Sequence, residues 1–182
     1  MELIKTNQCL VSLFILCVLV SLSACSYSFS GSSVPAHLKN VAIPIFADRS
    51  GSGEFDLSQK FNTQLTQKFI DDNTLAVSDR VNSNSILEGV IVSLDDAPAV
   101  VSGGASSPSS PGGEKITARR ITITVSASFK DLVKKRTVFE KNFSNYSDYL
   151  ITGDITSVRK KAIDDAIDKI TEDILLGVVS NW

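Results

Sequence analysis

The sequence predicts an α+β domain, with two helices packed on one face of a mostly antiparallel sheet of four or five strands. Three observations carry that reading. Leu57, Phe61, Leu65 and Phe69 recur every fourth residue, which lines up one apolar stripe of a helix. Ala162, Ala166, Ile170 and Ile174 repeat the same spacing near the C-terminus. Between them, Ile121, Ile123, Val125, Ala127 and Phe129 alternate with Thr122, Thr124, Ser126 and Ser128, the period-two pattern of a strand with one buried face.

The elements follow in order. Leu10 to Leu22 is apolar apart from two serines and is preceded by Lys5. A membrane span needs about 20 such residues, so this run suits the core of a signal peptide instead. It ends in Leu22-Ser23-Ala24-Cys25, small residues set just before a cysteine. That arrangement resembles the bacterial lipobox and makes Cys25 the expected lipidated first residue of the mature chain; the alternative is an ordinary secretory signal with a cysteine nearby. The chain therefore divides into a signal peptide over 1–24, a lipidated tether over 25–39 rich in Ser, Gly and Pro, and a single domain over 40–182.

Within the domain, Val41 to Phe46 reads as a buried strand in which Pro44 demands an edge position or a bulge. Asp48 to Gly53 is a turn. Asp56 and Gln59 have the spacing of a capping box at the start of the first helix, whose polar face carries Lys60, Gln64, Gln67 and Lys68. Asp71-Asp72-Asn73 closes it, and Leu75 to Val77 is a short strand. Ile86 to Leu94 is a strand with Ile86, Val90, Val92 and Leu94 on one face and Leu87 and Ile91 on the other. A mobile loop is expected near 101–114, where Ser, Gly and Pro dominate. Its glycines lack the Lys-Ser/Thr and the strand-to-helix setting of a phosphate loop. Asp131 to Lys135 turns the long strand into a partner over Thr137 to Phe143, and Asn145 to Gly153 is a polar connection to a second helix capped by Asp154. Ile155, Val158, Ile163 and Ile167 extend that helix's apolar stripe, and Trp182 is either packed or interfacial.

Composition removes several functions. Net charge is −2, which gives no bulk attraction to nucleic acid. Cys9 and Cys17 fall in the signal, so the mature chain has neither an internal disulfide nor a thiolate metal cluster. The single histidine, His37, lies in the tether and has no nucleophile or ligand set beside it. The adjacent acids Asp71-Asp72 and Asp95-Asp96 suit turns and surface better than acid–base catalysis. An enzyme, a metal or a cofactor is not expected. Arg119 and Arg120 point to opposite faces of one strand and do not share a surface. Lys130, Lys134, Lys135 and Arg136 cluster at the hairpin turn, either as a contact for phosphate-bearing lipid or as charges that keep an exposed turn from aggregating.

Taken together, Cys25-Ser26-Tyr27-Ser28-Phe29-Ser30-Gly31, Val41-Ala42-Ile43-Pro44-Ile45-Phe46, Leu87-Glu88-Gly89, Asp96-Ala97-Pro98-Ala99-Val100, and Ala162 through Asp173-Ile174 resemble the lipopolysaccharide-assembly lipoproteins (LptE), in the form found in Bacteroidetes-like bacteria. The resemblance spans nearly the whole mature chain. It implies an outer-membrane lipoprotein facing the periplasm, with two helices on a four-stranded sheet. It also implies a role in lipopolysaccharide transport as the plug partner of an LptD-like β-barrel translocon. A lipoprotein of another envelope secretion or assembly machine is the alternative, since a strand followed by Asp48-Arg49-Ser50 and a helix also looks like domains of that kind.

Overall fold

A computed structural model of the chain describes residues 34–99, 118–180 and 182. The signal peptide, Cys25 and the loop expected near 101–114 lie outside the described residues. Two helices and a mixed sheet of six strands form an α+β unit. The strands are β1 (Asn40–Ala42), β2 (Ala47–Asp48), β3 (Ala76–Val77), β4 (Ser85–Pro98), β5 (Ala118–Asp131) and β6 (Arg136–Leu150). Helix α1 (Leu57–Asp72) lies between β2 and β3, and α2 (Ile155–Ser180) follows β6.

The order across the sheet is β3-β1-β4-β5-β6, with β2 also paired to β4. The long strands β4, β5 and β6 are antiparallel, whereas β1, β2 and β3 pair in parallel. The expected class therefore holds, and the parallel strands are the difference from a mostly antiparallel sheet of four or five. Their cause is the crossover through α1, which returns the chain to the same end of the sheet, while Pro44 only interrupts the first strand. The segment Val41 to Phe46 does not run as one strand: β1 ends at Ala42, residues 43–46 leave the ladder, and β2 begins at Ala47, so that β1 and β2 lie along different parts of β4. Phe46, freed from the ladder, turns its ring into the core against Phe61, 5.1 Å between centroids. It packs over Gly89, where an added Cβ would fall 2.5 Å from the ring and 2.2 Å from the Ser126 carbonyl. Gly89 is there because Phe46 occupies the space of a side chain.

The two stripes read from the sequence make the core. Leu57, Phe61, Leu65 and Phe69 are fully buried, as are Ile121, Ile123, Val125, Ala127 and Phe129 facing them. Each such side chain contributes about 1.5–3 kcal/mol by leaving water. Ala162, Ile163, Ala166, Ile167, Ile170 and Ile174 bring α2 onto the same side, while Ile155 stays half-exposed at the helix start. The polar face of α1 is not simply solvated. Lys60 reaches Asp164 at 3.2 Å, and Lys68 reaches Asp168 at 2.9 Å and Glu172 at 3.3 Å, so rising positions on α1 meet rising positions on α2 and the helices run parallel.

Four details depart from the sequence reading. Asp56 makes no side-chain cap at α1; its carboxylate turns to Lys60 instead, 3.5 Å away. A bulge at Val92 shifts the register of β4, so Leu94 joins Leu87 and Ile91 on the core face, opposite Ile123. Residues 145–150 continue β6 rather than connecting, because Asn145, Ser147 and Tyr149 keep the alternation of Phe139 and Phe143. Packing also begins before residue 40, with Leu38 buried in the core. Asp154 does cap α2, accepting the Thr156 N–H at 3.1 Å, and Asn73 closes α1 in the left-handed conformation. Trp182 is packed, edge-on to Phe129 with 5.9 Å between centroids, and its indole N–H donates to the Val178 carbonyl.

Candidate functional site

The hairpin turn between β5 and β6 gathers most of the residues singled out from the sequence. It is built on Asp131, whose side chain is fully buried at the end of β5. One carboxylate oxygen accepts the Lys134 N–H at 2.8 Å, which closes the turn, and Lys135 completes it at φ +52°. The other oxygen is 2.8 Å from His37 Nε2 and 3.9 Å from Arg136. Burial works against the ionised carboxyl, but the Lys134 amide and the His37 imidazole outweigh it and hold its pKa below the usual carboxylate range. His37 is therefore not free surface. It fixes the chain upstream of β1 to a turn 94 residues away, a contact with no signal in local sequence.

The four cations do not act as one cluster. Lys130 lies on the helix-free face and is bound to Glu88 on the neighbouring strand. Arg136 leans toward Asp131. Lys134 and Lys135 project into solvent at the tip, beside the exposed side chains of Leu132 and Val133. A second loop, residues 79–84, is locked to this turn. Leu132 N–H donates to the Asn84 carbonyl at 2.9 Å, Asn84 Oδ1 accepts the amides of Lys39 and Asn40, and Asn40 Nδ2 donates to the Asn82 carbonyl.

The opposite end of the sheet holds a second polar group. Asp96 receives Arg119 Nε at 2.7 Å, Arg159 Nε at 3.0 Å and the Tyr149 hydroxyl at 2.9 Å, and Arg159 also binds Glu54. Partial burial opposes ionisation, yet these donors hold the Asp96 carboxyl below its ordinary range. Arg119 and Arg120 do face opposite ways. Arg120 makes a two-pronged pair with Asp148 and lies 3.8 Å from the centroid of the Tyr146 ring. Asp95 and Asp96 also point apart, so they share no proton: Asp95 accepts from Ser93 and Asp96 belongs to the arginines. The cleft between the helices is lined by Asp56, Gln59, Lys60, Thr63, Gln64 and Asp164, and its lysine is already paired with both acids. Among the described residues no group of acids, His and Cys could hold a metal ion, and no helix is long and apolar enough to cross a membrane.

No curated protein sequence matches the chain. Solved structures share its fold, among them two bacterial proteins. The hypothetical protein CT253 from Chlamydia trachomatis superposes with a TM-score of 0.55 at 8% identity, covering 78% of this chain and 95% of that one. Protein XCC0632 from Xanthomonas campestris superposes with a TM-score of 0.55 at 13% identity, covering 82% and 90%. The sequence model of the lipopolysaccharide-assembly family LptE matches residues 38–176, from the buried Leu38 to the last turns of α2. The chain belongs to the LptE family of lipopolysaccharide-assembly proteins.

Proposed function

We propose that this protein is an outer-membrane lipoprotein, anchored through acyl chains on Cys25, that assists lipopolysaccharide transport as the plug partner of an LptD-like β-barrel. The observation that carries the reading is the family match, which runs through β1 to α2 and so includes both helices and the sheet. Two features of the described residues support a role in binding and assembly. At the Asp96 end the charged groups are spent on one another. The helix-free face of β5 presents hydroxyls and an Arg120–Tyr146–Asp148 group suited to a polar partner surface.

In this reading the contact to the phosphates of lipopolysaccharide falls on Lys134, Lys135 and Arg136, with Lys130 a weaker member because Glu88 already holds it. Depletion of the protein is expected to lower surface lipopolysaccharide. Reversing the charge of Lys134, Lys135 and Arg136 together is expected to weaken lipopolysaccharide binding while the domain stays folded. Unchanged binding in a folded triple variant would remove the contact from the proposal, and normal surface lipopolysaccharide after depletion would remove the transport role.

A further inference from the structure

The end of the sheet that carries the hairpin turn is also the end from which the chain runs back toward Cys25. His37, bonded to Asp131, fixes the start of the domain there. Only eight residues separate Cys25 from Val34, a reach of about 30 Å when fully extended. The two loops at this end are tied together through Leu132 and Asn84, and each thrusts apolar side chains into solvent: Val81 is 94% exposed, Val133 54% and Leu132 39%. A single exposed valine is ordinary, but three aliphatic tips on two loops hydrogen-bonded into one platform are not. Cations surround them. Arg80, Lys134, Lys135 and Arg136 are exposed on the same loops, and Asp79 is the one exposed acid, since Asp131 is buried.

Aliphatic tips ringed by Lys and Arg match the boundary of an anionic bilayer, where the apolar groups sink below the phosphates that the cations meet. We infer that this platform docks on the phospholipid leaflet that holds the acyl chains of Cys25, with Val81, Leu132 and Val133 entering the interface. The inference rests on the lipid anchor of the proposed function and not on its lipopolysaccharide role: the platform meets the leaflet when the domain is not seated in a barrel, since Lys134 and Lys135 cannot hold both partners at once. Docking sets the orientation of the domain: the hairpin end faces the lipid, and the Asp96 end stands away from it.

The test uses the acylated full-length protein in vesicles of phosphatidylethanolamine and phosphatidylglycerol, free of lipopolysaccharide. Val133→Cys is labelled with an environment-sensitive fluorophore; Cys25, the other thiol of the mature chain, is blocked by its acyl group. Phe55→Cys, at a fully exposed position near the Asp96 end, is the comparison. The label at 133 is expected to shift to the blue and be quenched by brominated lipid, and the label at 55 to behave as in water. With Lys134→Gln and Lys135→Gln added, the contact is expected to weaken about 30-fold, each cation near an anionic surface being worth about fivefold. Equal, water-like emission from both labels on acylated protein overturns the inference. Mass spectrometry of the same sample reads the anchor separately: an amino terminus without acyl chains overturns the anchoring reading, and the inference falls with it.

Discussion

The two ends of the sheet each hold a carboxylate withdrawn from water, Asp131 fully and Asp96 in part, and they neutralise it by different means. Asp96 is met by two guanidinium groups and a phenol, and its arginines are consumed in the process. Asp131 is met by a peptide N–H and an imidazole, with Arg136 no closer than 3.9 Å. One end is thus a closed electrostatic unit. The other satisfies its carboxylate largely with donors that carry no permanent charge, and so leaves Lys134 and Lys135 available to an outside partner. The difference explains why the candidate contact surface belongs to the hairpin end, although the Asp96 end has as many charges.

This contrast can be broken at either end. The largest effect is expected from Asp96→Ala, which strands Arg119 and Arg159 beside the core. A loss of about 2 kcal/mol in urea unfolding is expected, in the range for lost hydrogen bonds to a charged group, because both arginines stay partly open to water. Asp131→Ala removes the acceptor that closes the turn and is expected to cost about 1–2 kcal/mol by the same measurement. Acid titration sharpens the comparison. Both carboxyls have folded-state pKa values below their unfolded ones, so each stabilises the fold fully above about pH 5, and that contribution is lost as pH falls through 4 toward the folded value. Asp96→Asn should therefore flatten the acid limb of a stability–pH curve; an unaltered limb would assign it to other groups. The smallest effect is expected from His37→Ala, about 0.5–1 kcal/mol, since the imidazole is partly exposed and the Lys134 amide remains.

What the sequence made legible follows the range of each interaction. The stripe from Leu57 to Phe69 and the alternation from Ile121 to Phe129 were readable because burial repeats with the period of the local backbone. Leu94 was assigned to the wrong face because one bulged residue, Val92, reverses every later position of the strand. The strand through Tyr149 was hidden because its core-facing positions include Asn145 and Ser147, polar groups covered by α2 rather than by an apolar pattern. Lys130 looked like part of a basic patch until the neighbouring strand supplied Glu88. The His37–Asp131 contact and the Lys60 and Lys68 bridges between helices are set by tertiary placement alone, which no spacing within one element records.

Whether the domain works as the partner of a membrane barrel is read from the mass of the native complex. A tagged protein expressed at its natural level, solubilised gently and weighed with whatever it holds, is expected to appear one-to-one with a large outer-membrane β-barrel. Recovery as a ring of its own copies, or without any barrel, would contradict the claim and favour a component of another envelope machine.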